Sequence, residues 1–171
     1  MAVVVSGKID LSIQIAELVT GSVRAGGPSV HTFDLSTYQT VRMANGTSAG
    51  QIDEVYSSKD TAIGAGATAD IDFAGSLVDI TGAALSFAKL KLLHFYNGGT
   101  VSIKIKAKTA IALPWFDGTT DSVVLKAGDS LTFFSPTGIT VGAGATDQIT
   151  ITNTSGGTAA AYTMIAAGTS A

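Results

Sequence analysis

Between residues 8 and 15 apolar and polar side chains alternate without a fault. Ile9, Leu11, Ile13 and Ile15 fall on one side of an extended chain, and Lys8, Asp10, Ser12 and Gln14 on the other. A period of two is the mark of a half-buried strand. Leu18, Val19 and Thr20 extend the pattern toward Gly21, and Ala25-Gly26-Gly27-Pro28 breaks it. From 29 to 43 the apolar residues Val30, Phe33, Leu35, Tyr38 and Val41 fit neither a strand nor a long helix, so no element is assigned there. The small residues from Ala44 to Gly50 carry an Asn-Gly turn signal. They set the expected boundary between an N-terminal arm, residues 1–44, and a second domain, residues 45–171.

Beyond that boundary strand signals recur about every dozen residues, the spacing of an antiparallel sandwich or barrel. The predicted strands are 52–57, 68–73, 87–96, 101–108, 122–125, 130–134, 148–154 and 161–166. Asn97-Gly98-Gly99 predicts a β-hairpin between the strands on either side of it. In the second of these, Val101, Ile103 and Ile105 alternate with Ser102, Lys104 and Lys106, giving one buried and one wet face. Asp117-Gly118, Ala127-Gly128-Asp129 and Ser155-Gly156-Gly157 mark three further turns. Residues 83–93 also fit a short amphipathic helix through Leu85, Ala88, Lys89 and Leu92, but the following Phe95-Tyr96 favours a strand. The phrase Gly-Ala-Gly-Ala-Thr occurs at 64–68 and again at 142–146, each time before an Asp-bearing strand, and reads as loop chemistry rather than a repeat architecture. The predicted fold class is all-β: an antiparallel jelly roll or β-sandwich with an N-terminal strand-forming arm.

Composition adds a statement about the surface. In 171 residues, 46% hydrophobic side chains and 20 Gly suit one packed core with many turns. Charged residues make up only 13%, about half the usual share. A compact monomer of this mass exposes roughly 7,800 Å², so the exterior is small-residue and neutral, as expected if copies of the chain or a larger assembly cover much of it. The net charge of −3 supplies no basic field for phosphates, which argues against a nucleic-acid partner. Zero Cys removes disulfides and thiolate chemistry. Apolar runs break well before the roughly 18 residues that span a bilayer, so no membrane partner is expected. The apolar start Met1-Ala2-Val3-Val4-Val5 lacks a basic leader and is not read as a secretion signal.

Candidate chemistry is sparse. His31 and His94 have no carboxylates at ligand spacing, no activated Ser motif is in place, and no glycine-rich phosphate loop lies between a strand and a helix. The acids Asp53/Glu54, Asp70/Asp72, Asp117/Asp121 and Asp129 sit at turns or alternate on strands, with Asp70 and Asp72 wet while Ile71 and Phe73 point inward. No catalytic residue, cofactor or metal ligand is assigned, and the chain is expected not to be an enzyme. Pro114-Trp115-Phe116-Asp117-Gly118 places two rings at a loop tip, where they cap the sandwich or grip a neighbouring subunit in preference to stacking on a sugar. The subunit-interface candidates are therefore Ile9, Leu11, Ile13 and Ile15 of the arm, adding a strand to a neighbour's sheet edge, with Trp115 and Phe116.

Several phrases carry a resemblance. Ser122-Val-Val-Leu-Lys-Ala-Gly-Asp-Ser-Leu-Thr-Phe-Phe-Ser-Pro136 sets two apolar strands about a turn. Gly138-Ile-Thr-Val-Gly-Ala-Gly-Ala-Thr-Asp-Gln-Ile-Thr-Ile-Thr-Asn153 and Ala161-Tyr-Thr-Met-Ile-Ala-Ala167 follow it, while Gln51-Ile-Asp-Glu-Val-Tyr-Ser57, Asp70-Ile-Asp-Phe-Ala-Gly-Ser-Leu77 and Leu85-Ser-Phe-Ala-Lys-Leu-Lys-Leu-Leu93 precede it. This layout, over residues 41–167, resembles small virion structural proteins of tailed bacteriophages, in particular jelly-roll capsid decoration (cement) proteins. The resemblance implies a homo-oligomer, a trimer above all, on the outside of the head, with the major capsid protein or another virion protein as partner. The Leu-Lys-Ala-Gly-Asp turn also resembles cupin jelly rolls, but the cupin His and Glu ligands are missing here. A tail or head-fibre module that binds a receptor or carbohydrate is the rival expectation.

Overall fold

The computed structural model describes residues 7–9, 41–79, 81–108, 116, 121–142 and 147–170. Among them there is no α-helix, and the chain is all-β. In chain order the strands are β1 (Gly7–Ile9), β2 (Val41–Asn45), β3 (Gln51–Ile52), β4 (Glu54–Ile63), β5 (Thr68–Asp72), β6 (Leu77–Val78), β7 (Ala84–Leu85), β8 (Phe87–Asn97), β9 (Ile103–Ala107), β10 (Ser122–Leu125), β11 (Ser130–Thr140), β12 (Gln148–Asn153) and β13 (Ala160–Ser170). The alternation of apolar and polar residues decides these elements. In β9 the buried Ile103, Ile105 and Ala107 alternate with half-buried Lys104 and Lys106. The span 83–93 contributes β7 and the start of β8, as its aromatic continuation predicts.

Two four-stranded sheets make the sandwich, one ordered β11-β8-β13-β4 and the other β10-β9-β12-β5. All their pairings are antiparallel. The nested pairs are β4 with β13, β5 with β12, β8 with β11 and β9 with β10, which is the winding of a jelly roll. The inner faces meet through Phe73, Phe95, Ile103, Ile105, Ile149, Ile151 and Met164, all fully buried. Burial of such side chains is worth about 1.5–3 kcal/mol each, and it fixes the register, because a one-residue slip would turn each inward row outward.

The expected hairpin at Asn97-Gly98-Gly99 is corrected here. β8 pairs with β11 and β13, β9 pairs with β10 and β12, and the turn carries the chain from one sheet to the other. Asn97 is the physical reason. Its side chain is buried, its Nδ2 donates to the carbonyls of Val101 and Leu125, both at 2.9 Å, and its Oδ1 accepts the Gly99 amide. The turn is thus folded over the open end of the sandwich instead of zipping two neighbours together. The turns at 127–129 and 155–157 also pass between sheets.

β11 runs past the predicted end at Phe134, through Pro136, because its register on β8 jumps from Phe134↔Leu92 to Ile139↔Leu90. The extra residues bulge over Lys91, and Gly138 takes a φ of +81° that favours glycine. On the other side of β8, a Cβ on Gly168 would collide with the Lys89 carbonyl oxygen, so this close strand approach also needs glycine.

Outside the sandwich, β1 pairs antiparallel with β2 and β2 pairs parallel with β3. The predicted strand at 8–15 is represented by β1; Leu11, Ile13 and Ile15 lie outside the described residues. The expected boundary after residue 44 falls within β2.

Candidate functional site

The outward rows of the β11-β8-β13-β4 sheet are set by register. Ser130, Tyr96 and Thr163 form one row, and Thr132, His94, Ile165 and Ser57 the next. Phe134, Leu92, Ala167 and Val55 form the third. None of these side chains carries a fixed charge. The inward alternates Leu131, Phe133 and Phe95 pack in the core, which is why these residues face out.

The third row is partly covered by the chain itself. Met43 of β2 and Ile52 of β3 bury against Leu92 and Ala167, with Val55 and Ile165 at the margin. Lys91 fastens this cover: its Nζ donates to the carbonyls of Ser48 and Gln51, both at 2.6 Å, and its side chain is only 1% exposed. Burial and the neighbouring Lys89 hold its ammonium pKa below the usual lysine range, with Asp53 opposing them. The loop is also stitched by the Gln51 side chain, whose Oε1 accepts the Ser48 amide at 3.0 Å, and by the Gly50 amide donating to the Pro136 carbonyl at 3.0 Å.

The first two rows and the β11 edge of the third are more open. Tyr96 is 41% exposed and Phe134, at the β11 edge, 36%. Between them His94 Nδ1 shares a hydrogen bond of 2.8 Å with Thr132 Oγ1, and burial lowers its pKa, which keeps the imidazole neutral at pH 7. The three rows are therefore aromatic, hydroxyl-bearing and free of fixed charge, with the exposed Lys59 and Asp60 of β4 at the end of the first row, where the Asp60 amide donates to Thr163 Oγ1, and such rows suit close contact with another surface at small desolvation cost.

The opposite outer face differs in kind. Lys104 and Lys106 stand beside Thr152 and Thr150, and the exposed Val124 lies next to Lys104. Lys108 pairs with Asp70 at 2.9 Å and donates to Gln148 Oε1 at 2.6 Å. Asp70 also accepts from Thr150 Oγ1 at 2.7 Å, and these partners hold its carboxyl below the usual range.

The other sequence-predicted residues are placed as follows. Ile9 is in β1, opposite Val41 of β2. Phe116 is buried in its own chain's core, 8% exposed, with its ring edge-on to Phe133 at a centroid distance of 6.5 Å, so it closes the sandwich end rather than protruding. Trp115 lies outside the described residues. Asp72 and Ile71 alternate as read from sequence, and Phe73 is fully buried. A buried acid that the sequence reading did not single out, Asp147, sits beside Asp72; burial, then the Asp72 carboxylate, push its carboxyl pKa up against the pull of backbone amides. Among the described residues no three His, Cys, Asp or Glu side chains converge on one metal position. No family model matches the chain, and no curated protein matches it.

Proposed function

We propose that the chain is a structural virion protein of a tailed bacteriophage, a capsid decoration protein that joins shell subunits by packing as a small homo-oligomer, a trimer above all, on the head. The observation that carries this reading is the sheet face whose three outward rows bear no fixed charge and leave Tyr96 and Phe134 exposed. A face of this composition, framed by long strands and rigid on a jelly roll, fits a surface-to-surface role. The resemblance of residues 41–167 to decoration proteins supports the same reading.

The test is co-sedimentation of the purified chain with bacteriophage heads assembled without it. The reading expects saturable binding that raises the temperature at which the heads release DNA. Heads that stay bare, with the chain instead retained on a glycan surface, would favour the receptor-binding alternative.

A further inference from the structure

His94 occupies the middle of the outward rows, half-buried, with Thr132 on one side and Ile165 on the other. Its Nδ1 shares a hydrogen bond of 2.8 Å with Thr132 Oγ1. The strands on either side of it offer no counter-charge. β11 presents Ser130, Thr132 and Phe134 to it, and β13 presents Thr163, Ile165 and Ala167. On β8 itself the Tyr96 phenol stands one row away, and Lys91, beyond Leu92, is sealed under the cover formed by β2 and β3. Lys59 and Asp60 of β4 lie two strands away, past Thr163, and are opposite in sign.

Such surroundings accept an imidazole and resist an imidazolium. A neutral ring has one donor and one acceptor nitrogen, and the Thr132 hydroxyl serves Nδ1 in either tautomer. With both nitrogens protonated Thr132 can only accept, and the added charge keeps its hydration only while the face stays open to water. Near a rotation axis these rows meet the same rows of a second copy, which hold no carboxylate to pair with the ring. On the footing of the packing proposed above, we infer that His94 is a proton switch for self-association: copies hold together while its imidazole is neutral and part when it takes up a proton. Burial within a single chain already opposes the charged form, and a covering copy adds to that burial. The proton therefore binds dissociated copies more readily, so association weakens as pH falls below the ordinary histidine range.

Sedimentation equilibrium of the full chain at pH 7.5 and pH 5.0 tests this, with circular dichroism confirming the fold at both. The association constant is expected to fall at least about tenfold at the lower pH. The other histidine of the chain is His31, and His31→Gln is expected to keep the response. His94→Gln, uncharged at either pH, is expected to associate at both with less than about a twofold change. If His94→Gln does not fold, NMR titration of the wild-type ring takes its place: His94 should titrate at lower pH in a concentrated, associated sample than in a dilute one. Wild-type association that is equal at the two pH values, a folded His94→Gln protein that responds like wild type, or a ring that titrates alike in both samples overturns the switch and leaves the packing standing. A wild-type chain that stays monomeric at both pH values overturns the packing, and the switch with it.

Discussion

Asn97 and Asn153 are two copies of one device. Each ends a strand fully buried, each uses its Oδ1 to accept the amide two residues on, Gly99 at 3.1 Å and Ser155 at 2.9 Å, and each Nδ2 donates to a carbonyl of its own turn, Val101 or Thr158, and to a second turn. Asn97 reaches Leu125 at the end of β10, and Asn153 reaches Ile63 and Gly64 at the end of β4. Four of the connections that pass between the sheets are thereby tied in pairs. Removing either side chain leaves buried carbonyls without donors, a loss of about 1–3 kcal/mol for each group stranded.

Asn97→Ala and Asn153→Ala should each lower stability by about 2–4 kcal/mol. Asn→Asp at either site should be no milder, because the carboxylate donates nothing to those carbonyls. Urea unfolding followed by circular dichroism measures both effects.

Lys91→Met keeps the bulk of the stem under the β11 bulge and removes the ammonium that holds Ser48 and Gln51. Charge-assisted bonds of this kind are worth about 1.5–3 kcal/mol each. The cover formed by β2 and β3 should then open ahead of the sandwich. Hydrogen exchange should accelerate at Gly46 and Gln51, whose amides are bonded within that segment, while Ile105 and Ile151 stay protected.

Glu54 gives a pH dependence of known sign. Burial first, and Asp53 second, raise its carboxyl pKa above the ordinary value, and its Oε2 is buried without a partner among the described residues. A raised folded-state pKa means that its contribution is fully present below the unfolded value and is lost as pH rises through the folded one. Glu54→Gln should therefore be more stable than wild type at pH 7 and lose that advantage by pH 4. Thermal melts across this range check the crossing.

The sandwich was legible because its strands alternate so regularly: 101–108, 148–154 and 68–73 all sit within a few residues of their observed bounds. The sheet each strand joins was not legible at Asn97-Gly98-Gly99. Turn chemistry reports a reversal of direction but not whether the next strand lies beside the last or across the core. Asn97 itself looked like an ordinary turn residue, and its burial follows only from the packing of distant Leu125. The uncharged outer rows were foreshadowed by the low charge content, yet no local pattern separates Tyr96 and Phe134 from core aromatics. The short β2 has no counterpart among the predicted strands and β3 is merged into the predicted strand 52–57, because two to five residues carry too little periodicity, and the cover they form depends on Lys91, forty residues away from Gln51.

The exposed rings provide a direct handle on the surface. Tyr96→Ser combined with Phe134→Ser should leave the melting temperature within a few degrees of wild type, since both rings are partly in water. It should weaken self-association at least tenfold, about 1.4 kcal/mol. Sedimentation equilibrium of the two proteins makes the comparison.

Cryo-electron microscopy of bacteriophage heads produced with and without this chain tests the central proposal most directly. The account predicts jelly-roll density at symmetry-related positions on the outside of the shell, with the Tyr96 and Phe134 face turned toward a neighbouring copy or the shell. Identical maps from the two preparations, with no density assignable to the chain, would contradict it.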